Sequence, residues 1–153
     1  MIETFVVDGV HSFLSNFYES EFILPWIPQL SDCGGLAKTA EHAYQSMKAS
    51  KKHDALLVLD AATPGLAKKC GRAVTLRPDW EEIKIPVMRA TLNLKFAAGT
   101  PLATRLLETE DQYLQEGNTW GDTFWGVCDG HGQNWLGFLL MARRAELRGG
   151  KLT

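Results

Sequence analysis

The spacing of apolar residues divides the chain into a β-prone beginning and a longer helical part. Residues 5–7 and 22–24 are short apolar runs, and the second run ends at Pro25. These runs predict two short strands. Residues 26–38 contain prolines and paired glycines without a regular period, which is typical of an irregular loop.

Helical periodicity with start and stop signals predicts six helices after that loop. They are expected at 40–52, 54–62, 65–70, from 78–82 to near residue 99, at 101–107 and at 135–147. Thr39 and Asn134 are predicted N-caps of the first and last helices. Gly71 is predicted to end the third helix, and Pro86 to kink the fourth. With a further short strand at 113–114, the pattern predicts an α+β fold that is mainly helical.

Length, charge and cysteine usage limit the class of protein. The 153 residues predict a single domain over 1–153. The net charge of −2 makes tight non-specific DNA binding unexpected, since that requires a basic excess. The chain begins without a signal-peptide pattern, and no apolar run approaches the roughly 18 residues of a membrane span. Three widely spaced cysteines indicate reduced thiols. We therefore expect a cytoplasmic protein without a membrane partner.

Residues 120–137, which we call the tryptophan–glycine segment, combine three tryptophans, five glycines and two aspartates. Two interpretations are open. One is a glycine-rich loop attached to the core by its aromatic residues. The other is a ligand cradle, in which glycines let the backbone approach a ligand, tryptophans form flat apolar walls, and Asp122 and Asp129 react with the ligand or orient it.

The first predicted helix places Glu41, Gln45 and Lys48 on one face, at i, i+4 and i+7. This face is either a solvated polar surface or the wall of a cleft that contains a carboxylate, an amide and an amine. In the second case, partial desolvation beside Ala40 and Tyr44 suits the carboxylate for general acid catalysis.

A second face, on the long fourth helix, contains Lys84, Met88, Thr91 and Lys95. Its two lysines either lie at the edge of the core with their amines in solvent, or form an anion-binding pair for a phosphate group. Arg72, just after the predicted end of the third helix, is a candidate third phosphate contact, because a guanidinium can bind phosphate through two hydrogen bonds.

The histidines form no metal-binding motif such as HExxH, and each is expected at the surface or at the edge of the core. Cys128 and His131 are close enough in sequence to suggest a nucleophile pair, but such pairs are normally assembled by folding. The chain contains neither GxGxxG nor a P-loop sequence. We therefore expect no metal and no cofactor.

Five segments of the chain together carry a resemblance to a known family. They are FLSNFYES at 13–20, AEHAYQSMKA at 40–49, AKKCGRAVTLRPDWEEIKIPVM at 67–88, LNLKF at 92–96 and WGDTFWGVCDGHGQNWLGFLLMAR at 120–143. In this order they resemble the NADAR family, the N-glycosidases that include the YbiA-like proteins. The resemblance extends over most of the chain from residue 13 to residue 143.

The resemblance implies a compact, mainly helical α+β domain that cleaves the C–N bond between a ribose and a base or amine. It implies a ribosylated substrate, either a phosphoribosylamino-pyrimidine of riboflavin synthesis or an ADP-ribosylated guanine base. Matching motif positions imply that Glu41 and Asp122 are the catalytic carboxylates and that Trp120 shapes the site. Further ligand or supporting residues are implied at Asn16, Arg72, Trp80, Lys84, Asp129 and Asn134, and Phe17, Lys95 and Trp125 complete the candidates.

The expected chemistry depends on positive charge that builds on the sugar as the C–N bond stretches. One carboxylate stabilises this charge, and a second exchanges a proton with water or with the departing nitrogen. The order of these roles between Glu41 and Asp122 is open, and both must face one cavity. In a second route, the ribosyl amine opens to an imine that Lys48 captures as a Schiff base. The competing hypothesis is a non-catalytic module that binds ADP-ribose or a related nucleotide.

Overall fold

Threonine side chains begin three of the helices. The computed structural model describes residues 1–4, 9–31 and 34–149. The hydroxyl oxygens of Thr39, Thr63 and Thr100 each accept a hydrogen bond from the backbone N–H three residues later. Such caps satisfy N–H groups that have no partner within the helix. The predicted N-cap at Thr39 is confirmed.

Six helices and six short strands are present in the described part of the chain. The helices are α1 (Ala40–Ser46), α2 (Lys52–Asp60), α3 (Pro64–Ala73), α4 (Trp80–Lys95), α5 (Pro101–Leu107) and α6 (Trp135–Leu147). The strands are β1 (Ile2–Glu3), β2 (Glu19–Leu24), β3 (Gly35–Thr39), β4 (Leu114–Gln115), β5 (Gly117–Asn118) and β6 (Val127–Cys128), and a 3-10 helix covers Ser12–Leu14. The predicted α+β class with a helical majority is confirmed.

The chain divides into two compact units, and Glu19–Lys95 forms the first, which we call the middle unit. In this unit β2 and β3 are antiparallel, with Phe22 opposite Ala37. The helix α1 packs against α2, α3, α4 and β3, and all seven of its residues are buried. A helix without a solvent-facing side is a core helix, so the side chains of α1 meet protein groups in every direction.

The second unit, which we call the terminal unit, consists of Met1–Tyr18 and Phe96–Thr153. Its strands form two parallel pairs, β1 with β4 and β5 with β6. The helix α6 packs against α5 and β4. Its buried apolar side chains include Phe13, Leu14, Phe96, Leu106, Leu114, Leu136 and Leu140. Burial of these side chains is the main stabilising contribution to the unit.

Three expectations about element boundaries are wrong. The first helix ends at Ser46 rather than near residue 52, because a turn separates α1 from α2. The helix α3 continues through Gly71 to Ala73. The predicted loop ends in β3, because pairing with β2 makes residues 35–39 a strand. The strand expected at 5–7 lies outside the described residues.

Candidate active site

Glu41 lies in the first turn of α1, and its charged side chain is buried. Only 7% of the residue is exposed. The amide Nε2 of Gln45, one helical turn later, donates a hydrogen bond of 2.7 Å to Glu41 Oε1. The helix dipole also favours negative charge at this end of a helix. The polar face of α1 is therefore enclosed rather than solvated at these two positions.

Lys48 follows the end of α1 and places its amine near two aromatic rings. Its Nζ lies 5.3 Å from the ring centre of Tyr44 and 5.9 Å from that of Trp80. Burial lowers the pKa of Lys48, the negative charge of Glu41 raises it in part, and two positive side chains of α3 lower it further. A lower pKa increases the fraction of neutral amine, which is the nucleophilic form.

The helix α3 supplies these two positive side chains, Lys68 and Arg72. Gly71 allows a close approach between α3 and α1, since a Cβ built on Gly71 would lie 2.0 Å from Oε1 of Gln45. Arg72 is exposed and can therefore meet an anionic ligand. It lies in the last turn of α3 and not after the helix, which corrects the position expected from the sequence.

The helix α4 contributes Trp80, Lys84 and Lys95 to the middle unit. Trp80 is buried, with its ring centre 5.3 Å from that of Tyr44, so the two rings form a fixed apolar wall. The Nζ of Lys84 contacts Glu81 Oε2 at 2.6 Å in an ion pair. Lys95 is only 3% exposed. The interpretation that both lysines extend into solvent from the edge of the core is therefore wrong for Lys95.

Asp122 lies in the terminal unit, within the tryptophan–glycine segment. Its Oδ1 accepts hydrogen bonds from the backbone N–H groups of Phe124 at 3.1 Å and Trp125 at 2.9 Å. The side chain of Asn118 accepts from the N–H of Asp122 and donates to its carbonyl oxygen. One carboxylate oxygen thus holds a turn, as aspartates often do. Asp122 has this structural role in addition to any catalytic one.

The tryptophans of the tryptophan–glycine segment differ in exposure. Trp120 is 56% exposed, so much of its ring is accessible to solvent. Trp125 packs edge to face on Phe124 with ring centres 4.8 Å apart, and Phe124 stacks on Trp135 at 6.3 Å. Trp120 is consequently the better candidate for a wall of a binding site, whereas Trp125 supports the segment.

Three glycines of the segment lie where two stretches of backbone come close. A Cβ on Gly126 would lie 2.2 Å from the carbonyl oxygen of Glu116, and one on Gly132 would lie 2.1 Å from that of Gly126. A Cβ on Gly137 would lie 2.2 Å from the carbonyl oxygen of Leu114. At these positions a side chain has no room, so the glycines allow close packing of the backbone. This favours the interpretation of a glycine-rich loop attached to the core.

Asp129 and Gly130 form the tip of a tight turn. Cys128 and His131 exchange backbone hydrogen bonds of 2.8 Å and 3.0 Å, and the two residues between them have φ values of 51° and 77°. Asp-Gly is a preferred sequence for turns with positive φ at both central positions. The turn explains the location of Asp129 and the closeness of Cys128 to His131, while a ligand-binding role for Asp129 stays a prediction.

Asn134 does not cap α6 in the predicted way. Its backbone is left-handed, with φ of 54°, and its side chain makes no capping hydrogen bond. Its Oδ1 instead accepts from the N–H of Glu116 at 3.0 Å, and its Nδ2 donates to the carbonyl oxygen of Leu114 at 2.9 Å. The side chain therefore joins the start of α6 to β4 and the residues after it. Asn134 occupies the predicted N-cap position, but the expectation that its side chain caps the helix is wrong.

Asn16 and Phe17 follow the 3-10 helix of the terminal unit. Asn16 is buried, whereas Phe17 is 36% exposed. The hydroxyl oxygen of Ser15 accepts a hydrogen bond of 3.2 Å from the N–H of Phe17, which fixes the turn that carries both side chains. Ligand roles for these two residues stay predictions.

His42 is fully buried, which corrects the expectation of a surface or core-edge position. Its Nδ1 lies 2.8 Å from Thr39 Oγ1, and its Nε2 lies 2.9 Å from the carbonyl oxygen of Ala61. Burial lowers the pKa of His42, the hydrogen bond to Ala61 raises it in part, and the positive charge of Lys38 lowers it further. His42 is therefore a neutral structural residue at neutral pH.

Within each unit the structure brings several candidates together. In the middle unit, one group, which we call the α1 cluster, consists of Glu41, Gln45, Lys48, Lys68 and Arg72. In the terminal unit, the predicted residues Trp120, Asp122 and Trp125 lie in one turn. Glu41 and Asp122 belong to different units, and their action on a single sugar stays a prediction.

Lys68 is the residue of this environment that the sequence interpretation misses. Its spacing from Arg72 is one helical turn, which is a usable signal. Gln45 and Tyr44 are identified from the sequence as neighbours of Glu41 on the first helix, but the contact of the Tyr44 ring with the Lys48 amine is not. That pair has the i, i+4 spacing of a helix, although Lys48 lies beyond the end of α1.

Among the described residues, no group of three or more His, Cys, Asp or Glu side chains is arranged to hold a metal ion. Within the same ranges, the structure contains no helix with the length and apolar character needed to cross a membrane. Cys70 and Cys128 are free thiols, and Cys33 lies outside the described residues.

Comparisons with known proteins agree with the resemblance found in the sequence. A family model described as the NADAR domain matches residues 4–148. The chain is 40% identical to an N-glycosidase of Nostoc punctiforme over 116 residues, which are 72% of this chain and 74% of that protein. It is 36% identical to the N-glycosidase YbiA of Escherichia coli over 112 residues, which are 71% of this chain and 69% of that protein.

A longer relative and a solved structure extend these comparisons. The chain is 37% identical to a riboflavin biosynthesis protein of Vibrio vulnificus over 144 residues, which are 92% of this chain but 37% of that protein. The NMR structure of the E. coli protein YbiA matches with a TM-score of 0.80 and 30% identity, and covers 96% of this chain and 84% of that chain. The family and fold expected from the sequence are confirmed, and the expected N-glycosidase class agrees with the names of these relatives.

Proposed function

The chain belongs to the NADAR domain family, and on this premise we propose that it is an N-glycosidase that hydrolyses the C–N bond between a ribose and a base or amine. The observation that carries the proposal is the buried Glu41 carboxylate, which Gln45 holds at 2.7 Å. Beside it is Lys48, whose pKa is lowered by burial. A shielded carboxylate and an amine with a lowered pKa suit this chemistry.

The first route uses two carboxylates. As the C–N bond stretches, positive charge builds at the anomeric carbon of the ribose, and the Glu41 carboxylate stabilises it. Asp122 is the proposed second acid, with either carboxylate passing a proton to the departing nitrogen or taking one from the attacking water. Water adds to the anomeric carbon, and the products are the sugar part of the substrate, as ribose phosphate or ADP-ribose, and the free base or amine.

The second route uses Lys48 as the nucleophile. A ribosyl amine opens to an imine, and the neutral amine of Lys48 attacks its C1 atom. The leaving amine departs with a proton, so that a Schiff base between Lys48 and the sugar remains. Water then hydrolyses this Schiff base, which returns Lys48 and releases the sugar. The lowered pKa of Lys48 supports this route, because only the deprotonated amine can attack.

The proposed substrate carries phosphate. Lys68 and Arg72 of the α1 cluster are cations in the neighbourhood of Lys48, and the guanidinium of Arg72 is exposed. Phosphate groups are the anions that such side chains bind well. A phosphoribosylamino-pyrimidine and an ADP-ribosylated guanine base both meet this requirement, and both are proposed as substrates to be compared directly. Trp120 is proposed to cover the base or the sugar.

The proposal is tested by incubating the protein with both compounds and separating the products by mass spectrometry. Release of free ribose phosphate or free ADP-ribose is the expected result and identifies the substrate. Retention of an intact bound ligand would show instead a binding module without catalysis. If neither compound is consumed at high protein concentration, the proposed function is contradicted.

The role of Glu41 is tested by Glu41→Gln, which keeps the acceptor oxygen for Gln45 and removes the charge. Turnover is expected to fall by about 100-fold or more, the usual contribution of a general acid or base. Glu82→Gln, an exposed acid in α4, is the matched control and is expected to retain full turnover. Near-normal turnover of a folded Glu41→Gln protein contradicts the assignment.

A further inference from the structure

Gln45 is buried although it is a polar side chain. It is 3% exposed, and its Nε2 donates to Glu41 Oε1 at 2.7 Å. Buried hydrogen bonds to carboxylates are short and directional. We infer that Gln45 is a positioning residue that fixes the direction of the Glu41 carboxylate, and that Gly71 leaves the space that the Gln45 side chain occupies. The inference rests on the proposed function of Glu41.

The orientation of the Gln45 amide supports this role. With Nε2 towards Glu41, the amide donates to a carboxylate that can accept. A reversed amide would bring its oxygen against the carboxylate oxygen. In the observed orientation, Gln45 Oε1 is buried and has no hydrogen-bond partner among the described residues. An acceptor left without a partner is unfavourable, so the contact with Glu41 determines the orientation at the expense of Oε1.

Gly71 supplies the space that Gln45 occupies. A Cβ at this position would lie 2.0 Å from Oε1, 2.8 Å from Cδ and 3.0 Å from Cβ of Gln45. Gly71 lies within the helical span of α3, where alanine is a better helix former than glycine. The glycine is therefore explained by the side chain it faces, and any larger residue must displace Gln45 or move α3 away from α1.

The charged groups around the carboxylate do not determine its direction by themselves. Lys48, which follows α1, interacts electrostatically with Glu41, and Lys68 and Arg72 of α3 interact with Lys48, so the positive charge comes from two parts of the chain. Of the other ionisable residues of α1, Tyr44 presents its ring to Lys48, and His42 contacts Thr39 and Ala61. Coulomb attraction has little directional preference compared with a hydrogen bond. The neutral amide of Gln45 makes a hydrogen bond that holds one carboxylate oxygen at a defined point.

The test is a 13C NMR titration of the Glu41 side-chain carboxyl carbon, which requires no substrate. In Gln45→Met the carboxylate loses the Gln45 donor, so the Glu41 titration midpoint is expected to rise by about one pH unit or more. Gly71→Ala is expected to produce a shift in the same direction, because its methyl group displaces Gln45. The double variant is expected to shift no further than Gln45→Met alone, since both changes remove one contact.

Gly65→Ala is the matched control on α3. Among the residues that the structure describes, a Cβ at Gly65 meets only Thr63 Oγ1, at 3.9 Å, so the Glu41 titration is expected to match that of the wild type. If Gln45→Met does not fold, Gly71→Ala alone decides the question. A wild-type midpoint in a folded Gln45→Met or Gly71→Ala protein overturns the inference.

Activity measurements separate this inference from the proposed function. In the positioning role, Gln45→Met and Gly71→Ala lower kcat and move the acidic limb of the pH–rate profile to higher pH by the amount seen in the titration. Shifted midpoints together with no N-glycosidase activity of the wild type contradict the proposed function and leave the Gln45–Glu41 contact established. Unshifted midpoints together with full N-glycosidase activity of the wild type contradict the positioning role of Gln45 and leave the proposed function standing.

Discussion

At the scale of single residues, Lys48 shows how burial can prepare a side chain for chemistry. Burial lowers its pKa, so neutral amine forms at a lower pH than in an exposed lysine. Lys48→Arg keeps a positive charge but removes the nucleophile, since a guanidinium is not deprotonated in proteins. We expect the variant to lose turnover by orders of magnitude and to form no adduct when borohydride is added during the reaction, as measured by intact-protein mass spectrometry.

The pH dependence of this adduct has a defined sign. Adduct formation by the wild type is expected to rise with pH through the lowered pKa of Lys48, because the amine must lose its proton first. Lys52→Arg, an exposed lysine at the start of α2, is the control and is expected to form the adduct normally. Failure of the wild type to form any adduct during turnover rejects the Schiff-base route.

Asp122 requires two substitutions, because its structural and proposed catalytic roles use the same carboxylate. Asp122→Asn keeps an oxygen for the N–H groups of Phe124 and Trp125, so stability is expected to change little while turnover falls by about 100-fold. Asp122→Ala also removes these hydrogen bonds and is expected to lose about 1–2 kcal/mol of unfolding free energy. Denaturant unfolding and product release measure the two effects.

Full turnover of the Asn variant would remove Asp122 from the mechanism and leave it as a turn residue. Equal stability of the Asn and Ala variants would instead contradict the structural role that its two hydrogen bonds imply.

The roles of some of these residues could be predicted from the sequence, whereas the roles of others could not. Glu41 could be predicted as a candidate, because the acid is flanked by Ala40 and Tyr44 on a capped helix, but the sequence left open whether this face is solvated or enclosed. The role of Asn134 could not, because its left-handed backbone and its contact with Leu114, 20 residues away in the chain, are products of tertiary structure. Asparagine is also a common capping residue, so the local sequence favours a side-chain cap at Asn134, which the structure does not show.

At the scale of elements, Gly137 lets α6 pack closely against β4, because glycine has no side chain. A Cβ at Gly137 would lie 2.2 Å from the carbonyl oxygen of Leu114 and 2.4 Å from Asn134 Nδ2. Gly137→Ala is therefore expected to push α6 away from β4 and to lower the unfolding free energy by about 1–3 kcal/mol, the usual effect of overpacking. Chemical denaturation measures this difference.

Gly65→Ala provides the comparison, because alanine favours a helix and a Cβ at Gly65 has room. It is expected to leave stability unchanged or slightly increased. A Gly137→Ala protein as stable as the wild type would mean that α6 is not held against β4 by this close contact.

Element starts were easier to predict than element ends. The cap at Thr39 depends on its own side chain and is therefore readable locally. Glycine is typical of a helix end, yet α3 continues through Gly71, and the close approach of α1 explains the glycine instead. The strand β3 depends on pairing with β2, a contact between distant residues, and its sequence alone resembles a loop.

At the scale of the whole molecule, a buried histidine links stability to pH. The pKa of His42 is lowered below its ordinary value of 6.5, mainly by burial. The unfolded chain therefore binds a proton near pH 6.5 while the folded protein does not, so unfolding becomes easier as the pH falls from about 6.5 towards the folded pKa. The slope attributable to this group is expected to be at most about 1.4 kcal/mol per pH unit.

Unfolding free energies measured between pH 5 and pH 8 test this expectation. His42→Gln is expected to be less stable overall but to show a flatter pH dependence than the wild type. His53→Gln, which changes an exposed histidine of α2, is expected to retain the slope of the wild type. An unchanged slope in His42→Gln assigns the pH dependence to other groups.

The enclosure of α1 also has a consequence for how such proteins diverge. Every residue of this helix is buried, so a change at any of its positions requires compensating changes in several neighbouring elements. Solvent-exposed side chains such as Arg72 and Trp120 carry no such constraint. New substrate preferences are therefore expected to arise by substitution at exposed positions of this kind, with the sequence of α1 retained.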